Sequence, residues 1–227
     1  MNYIKLKLIV FCMFVCVIMS GQSKSMIDIM GRLTARTLPV NCDKNHMIDT
    51  SSSGVQDDTG FLSKRVYSNL QLTEWINTDE YPDMSWSSCF MYERPNNSDR
   101  LIMLSLADVG DFNTYVLLNV DKKGNITDQI DVSVLMFHPS GTIPVMQFRI
   151  SEDGRIIVSR LVPYSTVSVS LYDITDFYGH REDSVYEISD DGKFHKVNVI
   201  QYEAKTYTLE LLTDPDYNIW NGNEPQK

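Results

Sequence analysis

Runs in which apolar and polar side chains alternate recur through the second half of the chain. The run 166–171 alternates Thr or Ser with Val or Leu, and the run 206–211 does so in a similar way. A period of two places every second side chain on one face, so each run reads as a strand with one buried and one solvated face. Further runs with strand character lie at 100–106, 113–120, 125–135, 144–150, 155–162 and 185–202. The pattern predicts a mainly β chain with roughly nine or ten strands.

Turns that contain glycine separate several of these runs. Gly124, Gly154 and Gly192 each follow Asp or Lys between β-rich segments, and residues of these types tolerate positive φ. Hairpin turns join consecutive strands, so neighbouring strands are predicted to pair antiparallel. Residues 148–156 also match residues 186–194 almost position for position, with a weaker third copy at 118–126.

The repeated hairpin suggests a β-propeller, but the glycine spacings are uneven and the chain could hold at most about four or five blades. We therefore predict an antiparallel meander that forms a sandwich, an incomplete barrel or a propeller-like sheet. One segment has helical periodicity instead. Leu62, Val66 and Leu70 recur at four-residue spacing after possible capping residues at 57–59, which predicts one short helix near residues 60–70.

The first 21 residues have the layout of a secretory signal peptide. Lys5 and Lys7 precede the apolar run Leu8–Met19, and the small residues Ser20 and Gly21 follow it. The run is shorter than the roughly 20 apolar residues that cross a bilayer. We predict cleavage after residue 21, and an uncleaved membrane anchor or a lipid attached to a cysteine is the less favoured alternative.

The remaining chain divides by composition into two parts. Residues 22–56 are mixed and polar, which predicts a loosely ordered N-terminal arm. Residues 57–227 have enough apolar and aromatic residues for one core and no long Pro-, Gly- or Ser-rich break, which predicts a single β-rich domain. The exported protein is expected in the periplasm, at the outer membrane or in the medium.

The charge balance argues against nucleic acid as a partner. The chain has 20 basic and 30 acidic residues, and loss of Lys5 and Lys7 leaves 18 basic residues and a net charge near −12. This charge repels phosphate backbones and anionic lipid surfaces, and no basic cluster interrupts it. Contact with a membrane is expected only through the uncleaved signal or a lipid anchor.

Two cysteines remain after the signal peptide. Cys42 and Cys89 would then lie in an oxidising compartment, which predicts one disulfide between them. The spacing of Cys42 and His46 also permits a zinc site with Cys89, but no fourth ligand is evident. The acidic turns at 151–154 and 189–192 lack the spacing of oxygen ligands that a calcium loop requires, and they are interpreted as hairpin turns. No metal or other cofactor is predicted.

The histidines do not form a recognisable catalytic motif, because neither HExxH nor GxSxG occurs. His195 shares strand parity with Val197 and Val199, which predicts an inward orientation. His138 and His180 lie in predicted loops that could converge on a pocket. No catalytic residue is assigned, and a hydrolase that uses one of these three histidines with a carboxylate remains the alternative function.

Four aromatic residues lie near predicted element ends, where side chains are often exposed. An exposed ring on a β surface can stack on a sugar ring or a peptide. The residues are Trp75, Tyr81, Trp86 and Trp220.

The chain resembles a loose group of uncharacterised exported, mostly β proteins of Gram-negative bacteria. The resemblance rests on the stretch 115–128, on the helical segment 61–70 before it and on the Ser-Asp-Asp-Gly-Lys hairpin at 189–193. It implies export and β structure, and the group supplies no activity or site residue that could be transferred. We expect a non-catalytic cell-envelope protein that binds a protein or a glycan through its β surface or loops. An assembly component with no ligand of its own is a further alternative.

Overall fold

The computed structural model describes residues 26–44, 47, 55–56, 85–94, 99–107, 112–165 and 174–222. These ranges include helix α1 (26–32), helix α2 (Leu209–Thr213) and twelve strands of one sheet. The strands are β1 (Ala35–Arg36), β2 (Val40–Cys42), β3 (Val55–Gln56), β4 (Ser85–Glu93), β5 (Arg100–Ala107), β6 (Phe112–Val120), β7 (Ile126–His138), β8 (Gly141–Ile150), β9 (Ile156–Pro163), β10 (Phe177–Ile188), β11 (Phe194–Gln201) and β12 (Lys205–Tyr207). The prediction of a mainly β fold is confirmed. The helix predicted near residues 60–70 and the strand predicted at 166–171 lie outside the described residues.

Strands β4 to β11 lie in the sheet in the order of the sequence, and all neighbouring pairs among them are antiparallel. Strand β1 adds to β4 in parallel, while β3 also pairs with β4, β2 with β8, and β12 with β10. The result is one continuous mixed sheet that is not closed into a barrel. The antiparallel meander therefore has the connectivity that the glycine turns predicted.

The three repeated hairpins have the same turn geometry. Gly124, Gly154 and Gly192 have φ values of 79°, 83° and 79°. In each turn the N–H of the first residue donates to the carbonyl of the fifth, at 2.9–3.0 Å, and the glycine N–H donates back to the carbonyl of the first. A residue with a Cβ rarely adopts this φ, so the glycines specify the turns.

Contacts between hairpins curl the sheet. The buried Asn119 of β6 donates from Nδ2 to the Gly192 carbonyl (3.2 Å) and to Thr127 Oγ1 (2.7 Å). Asp128 at the start of β7 accepts from the Phe194 N–H through Oδ2 (2.9 Å). The β10–β11 hairpin, at one edge of the sheet, therefore touches the β6–β7 hairpin in the middle of the sheet. Register shifts in four strand pairs increase the local twist that this curl requires.

The curl encloses the core. Strand β6 is buried at all nine residues, so both of its faces are covered. Residues 26–44 of the arm, predicted to be loosely ordered, contribute to the same core: Met26 on α1 and Val40 and Cys42 on β2 are buried within it. Across the described residues, no helix combines the length and the apolar character needed to cross a bilayer.

The alternating run 206–211 does not form one strand as predicted. Strand β12 ends at Tyr207, and Thr208 caps α2 by accepting the Leu211 N–H on Oγ1 (3.2 Å). Asp176 accepts the Leu209 N–H on Oδ1 (2.8 Å). These two side chains accept from two of the four free donors of a helix start, so capping outweighs the alternation.

A buried lysine binds the C-terminal strap, residues 208–222. Lys44 is buried, and its Nζ donates to the carbonyls of Thr142 (2.8 Å), Leu212 (3.1 Å) and Asp214 (2.7 Å). Burial lowers the pKa of Lys44, and the carboxylates of Asp214 and Asp216 partly oppose this. One side chain therefore ties the arm to β8 and to the strap.

We predict that Lys44→Met lowers the free energy of unfolding by about 2 kcal/mol or more, because buried carbonyls lose their donor. Chemical denaturation measures the change. Lys122→Met is the control, because Lys122 is exposed in a turn and its loss should cost about 0.5 kcal/mol or less. Similar losses in both variants would contradict a clamping role for Lys44.

Substitution of glycine by alanine separates turn strain from hairpin packing. A Cβ on Gly192 would lie 2.6 Å from both Asn119 Nδ2 and Thr127 Oγ1, whereas a Cβ on Gly222, at φ 67°, meets nothing within 4 Å. We expect Gly192→Ala to cost about 3 kcal/mol and Gly222→Ala about 1 kcal/mol, measured by thermal or chemical denaturation. Equal costs would mean that the contact between hairpins does not stabilise the curl.

Candidate functional site

The candidate site lies at the start of β10, which the sequence does not predict as a strand. Patterning starts the strand at residue 185 and assigns Tyr178 and His180 to a loop, whereas β10 begins at Phe177. This half of β10 pairs with β9 on one side and with β12 on the other. Alternation along the strand places Tyr178, His180 and Glu182 on one face.

Two tyrosines project from this end of the sheet. The Tyr164 N–H donates to the Tyr178 carbonyl (3.1 Å), which extends the β9–β10 pairing one residue beyond β9. The ring centroids of Tyr164 and Tyr178 are 5.5 Å apart, and the rings are inclined at 55°. Tyr164 is 57% exposed and Tyr178 54% exposed. Two neighbouring, largely exposed phenol rings held by paired strands form a surface on which an apolar ring face can stack.

A histidine lies beneath Tyr164. The His180 ring centroid is 5.3 Å from that of Tyr164, at 34°, and the residue is 8% exposed. Its Nδ1 and Nε2 are both buried without a hydrogen-bond partner. A buried polar atom that lacks a partner costs about 1–3 kcal/mol, so this arrangement requires an explanation. Tyr164, Tyr178 and His180 are hereafter the aromatic patch.

A charged pair continues the same face of the sheet. Arg160 of β9 lies opposite Glu182 of β10, and Arg160 Nε donates to Glu182 Oε1 (3.2 Å). The two side chains are 25% and 12% exposed. On this face of the sheet, the pair Arg160–Glu182 is the next cross-strand pair after Val162–His180. A guanidinium and a carboxylate therefore border the aromatic patch.

The opposite face of β10 is buried although it is also charged. Arg181 donates from Nε and Nη2 to the two carboxylate oxygens of Asp183, at 2.9 and 3.0 Å. Tyr202 donates its hydroxyl to Asp183 Oδ2 (3.1 Å), and its ring lies 3.5 Å from Arg181 Cζ. Burial, together with the Asp183 carboxylate, raises the pKa of Tyr202. These pairings let a polar strand lie inside the sheet, and they fix the backbone that carries the aromatic patch.

The predicted aromatic residues do not meet at this site. Trp75 and Tyr81 lie outside the described residues, as does the side chain of Trp86, whose backbone is in β4. Trp220 lies on the strap, with its ring centroid 5.3 Å from Arg149 Cζ. Arg149 is on the face of the sheet that Asp183 occupies, so Trp220 lies on the other side from the aromatic patch.

The three candidate histidines differ in position. His138 ends β7, and its Nδ1 accepts the Ser140 N–H (3.1 Å). The inward orientation predicted for His195 is wrong, because His195 is exposed opposite Glu187. Val197 and Val199, on whose parity the prediction rested, are themselves 51% and 43% exposed, so this part of β11 has no buried face. Of the three histidines, His180 is the one that is buried, and Glu182 lies on the same face of β10.

The other predicted sites involve the cysteines and the acidic turns. Cys42 is buried in β2, but the side chains of Cys89 and His46 lie outside the described part of the chain, so the disulfide stays a prediction. Among the described residues, no group of three or more His, Cys, Asp or Glu side chains could hold a metal ion. The Asp153 and Asp191 carboxylates accept hydrogen bonds from Ser151 and Ser189 in their own turns, which lowers the pKa of both aspartates.

A second concave region lies among the hairpin turns. It has a volume of about 270 Å³ and is lined by Arg94, Asp153, Gly154, Arg155, Glu187 and Ile188. Arg155 Nε is 3.0 Å from Glu187 Oε1 and 3.5 Å from Asp153 Oδ2, and all three side chains are about half exposed. Arg155 pairs with both acids of the cleft and Arg94 with Asp99 nearby, so this cleft points to a ligand less clearly than the aromatic patch does.

No protein-family model, curated protein or solved structure matches this chain.

The two faces of β10 should respond differently to loss of charge. We predict that Asp183→Asn costs about 3 kcal/mol or more of unfolding free energy, because Arg181 stays buried without its carboxylate. Glu182→Gln, one residue away, should cost about 1 kcal/mol or less, because Arg160 still reaches water. Denaturant titration of both variants provides the comparison. A larger loss for Glu182→Gln would contradict the role assigned to Asp183.

Proposed function

We propose that this chain is an exported, non-catalytic binding protein of a Gram-negative cell envelope whose ligand is a glycan. The observation that carries the proposal is the pair of exposed rings of Tyr164 and Tyr178, held 5.5 Å apart by paired strands. The apolar face of a pyranose ring stacks on such rings, while its hydroxyl groups need donors and acceptors at the rim. Arg160 and Glu182 supply both kinds of group in the adjoining row.

The size of the patch favours a glycan over a folded protein. A stable protein interface buries about 800 Å² on each partner, with an apolar centre. The large exposed hydrophobic residues of the described chain are Ile27, Tyr164, Tyr178, Val197 and Val199, and within this set a ring contact joins Tyr164 and Tyr178. Two rings with charged groups beside them fit a sugar unit better than a protein surface.

Export is supported by the sequence at the N-terminus. Lys5, Lys7 and the run Leu8–Met19 have signal-peptide character, and the acidic composition suits a protein that does not bind anionic lipids or nucleic acid. The location proposed is the periplasm, the outer membrane or the medium, where envelope glycans are present.

A secreted hydrolase is the second candidate. His180 and Glu182 project from the same face of β10, which is the combination of histidine and carboxylate that a hydrolase would require. Glu182 is engaged by Arg160, which favours a role in binding over proton transfer. Turnover of nitrophenyl glycosides or esters that disappears in His180→Gln would favour the hydrolase.

We expect the full chain, expressed in a Gram-negative host and purified, to bind saccharides on an array of envelope polysaccharides. Tyr164→Ala and Tyr178→Ala should each weaken binding about tenfold in calorimetry, because each removes a stacking ring. Tyr164→Phe keeps the ring and should stay within about twofold of the unaltered chain. Val197→Ala, at a site 51% exposed on β11, is the control and should have no effect.

The proposal fails if no saccharide binds. It also fails if both tyrosine-to-alanine variants bind saccharide as well as the control does while remaining folded.

A further inference from the structure

The unpartnered histidine distinguishes the aromatic patch from an ordinary exposed pair of tyrosines. His180 is 92% buried, and both ring nitrogens lack a partner. A neutral imidazole has one donor and one acceptor, and most buried groups of this kind are satisfied. A ligand group that reaches the ring would supply the missing bonds.

A side chain that can move lies against His180. The Tyr164 ring lies 5.3 Å from the His180 ring, but Tyr164 is 57% exposed and follows the last residue of β9. Rotation about its side-chain bonds would leave its N–H bond to Tyr178 intact, because that bond belongs to the backbone. His180 itself is in β10, paired with Val162 across the strand, so its position is fixed.

We infer that the glycan presents a hydroxyl group to His180 when the Tyr164 ring turns aside, so that His180 determines which sugars bind. This inference rests on the proposed function. A hydroxyl group can accept from the imidazole N–H or donate to the other nitrogen, which suits either tautomer. Arg160 and Glu182 are placed for a second hydroxyl group on the same sugar unit. The ligand class is therefore a pyranose with free hydroxyl groups beside the face that stacks.

Modification by diethyl pyrocarbonate, located by mass spectrometry, tests the cover without any sugar. His195 is exposed and should react in the unaltered chain, whereas His180 should react at least about tenfold more slowly. Tyr164→Ala should bring His180 to the rate of His195, and Tyr164→Phe should leave it protected. Protection that persists in Tyr164→Ala would overturn the inference.

Binding of glucose, galactose, mannose and N-acetylglucosamine tests the hydroxyl contact. His180→Leu should lower the affinity for the sugar that binds by about tenfold or more. It should not lower the stability of the fold, since it removes a polar group that has no partner. His180→Gln restores a donor and an acceptor and should recover part of the affinity. In nitrogen-15 spectra of the imidazoles, the His180 signal is the one that is missing in His180→Leu. That sugar should shift this signal, and its methylated or deoxy analogue should leave the signal unchanged.

The outcomes separate this inference from the proposal on which it rests. If His180→Leu is destabilised and binds sugar as the unaltered chain does, while Tyr164→Ala binds weakly, the histidine is structural and only the inference is lost. If none of the sugars or array polysaccharides binds, both are lost.

Discussion

The paired charges of Arg181 and Asp183 allow a polar strand to lie inside this sheet. Both side chains are almost fully buried, and the two hydrogen bonds between them satisfy most of the groups that burial removes from water. The same strand carries His180 and Glu182 on its other face. Without an internal partner for Arg181, this segment would stay in solvent as a loop, and Tyr164 and Tyr178 would not be held together.

The curl of the sheet depends on a second set of polar contacts. Three turns with the same geometry follow β6, β8 and β10. They lie on the same side of the sheet, because every second connection of an antiparallel meander returns to that side. Asn119 and Thr127 of one hairpin bind the Gly192 carbonyl of another, which brings distant strands together around β6. The repeated turn therefore serves twice, as a reversal of the chain and as a contact between the edge hairpin β10–β11 and the central hairpin β6–β7.

The proposed binding surface follows from these constraints. At the far end from the repeated turns, β9 ends and β10 begins, and the exposed rings of Tyr164 and Tyr178 lie side by side over a buried histidine. Fixed strands keep His180 in place, and the exposed Tyr164 ring lies against it. Such a surface combines a rigid base with a movable cover, which is suited to recognition of a ligand that has both an apolar face and hydroxyl groups.

The sequence by itself determined the β class, the antiparallel order and the positions of the three repeated turns, because these depend on local alternation and on glycines that tolerate positive φ. It did not reveal β10 before residue 185, since the polar run there looks like a loop until Arg181 and Asp183 are seen to pair. It also misplaced His195, because Val197 and Val199, taken to mark a buried face, are exposed on β11 at the edge of the sheet. Tyr164 and Tyr178 are separated by a connection of which residues 166–173 lie outside the described part. Only strand pairing brings their rings together, so the tertiary structure alone decided the candidate site.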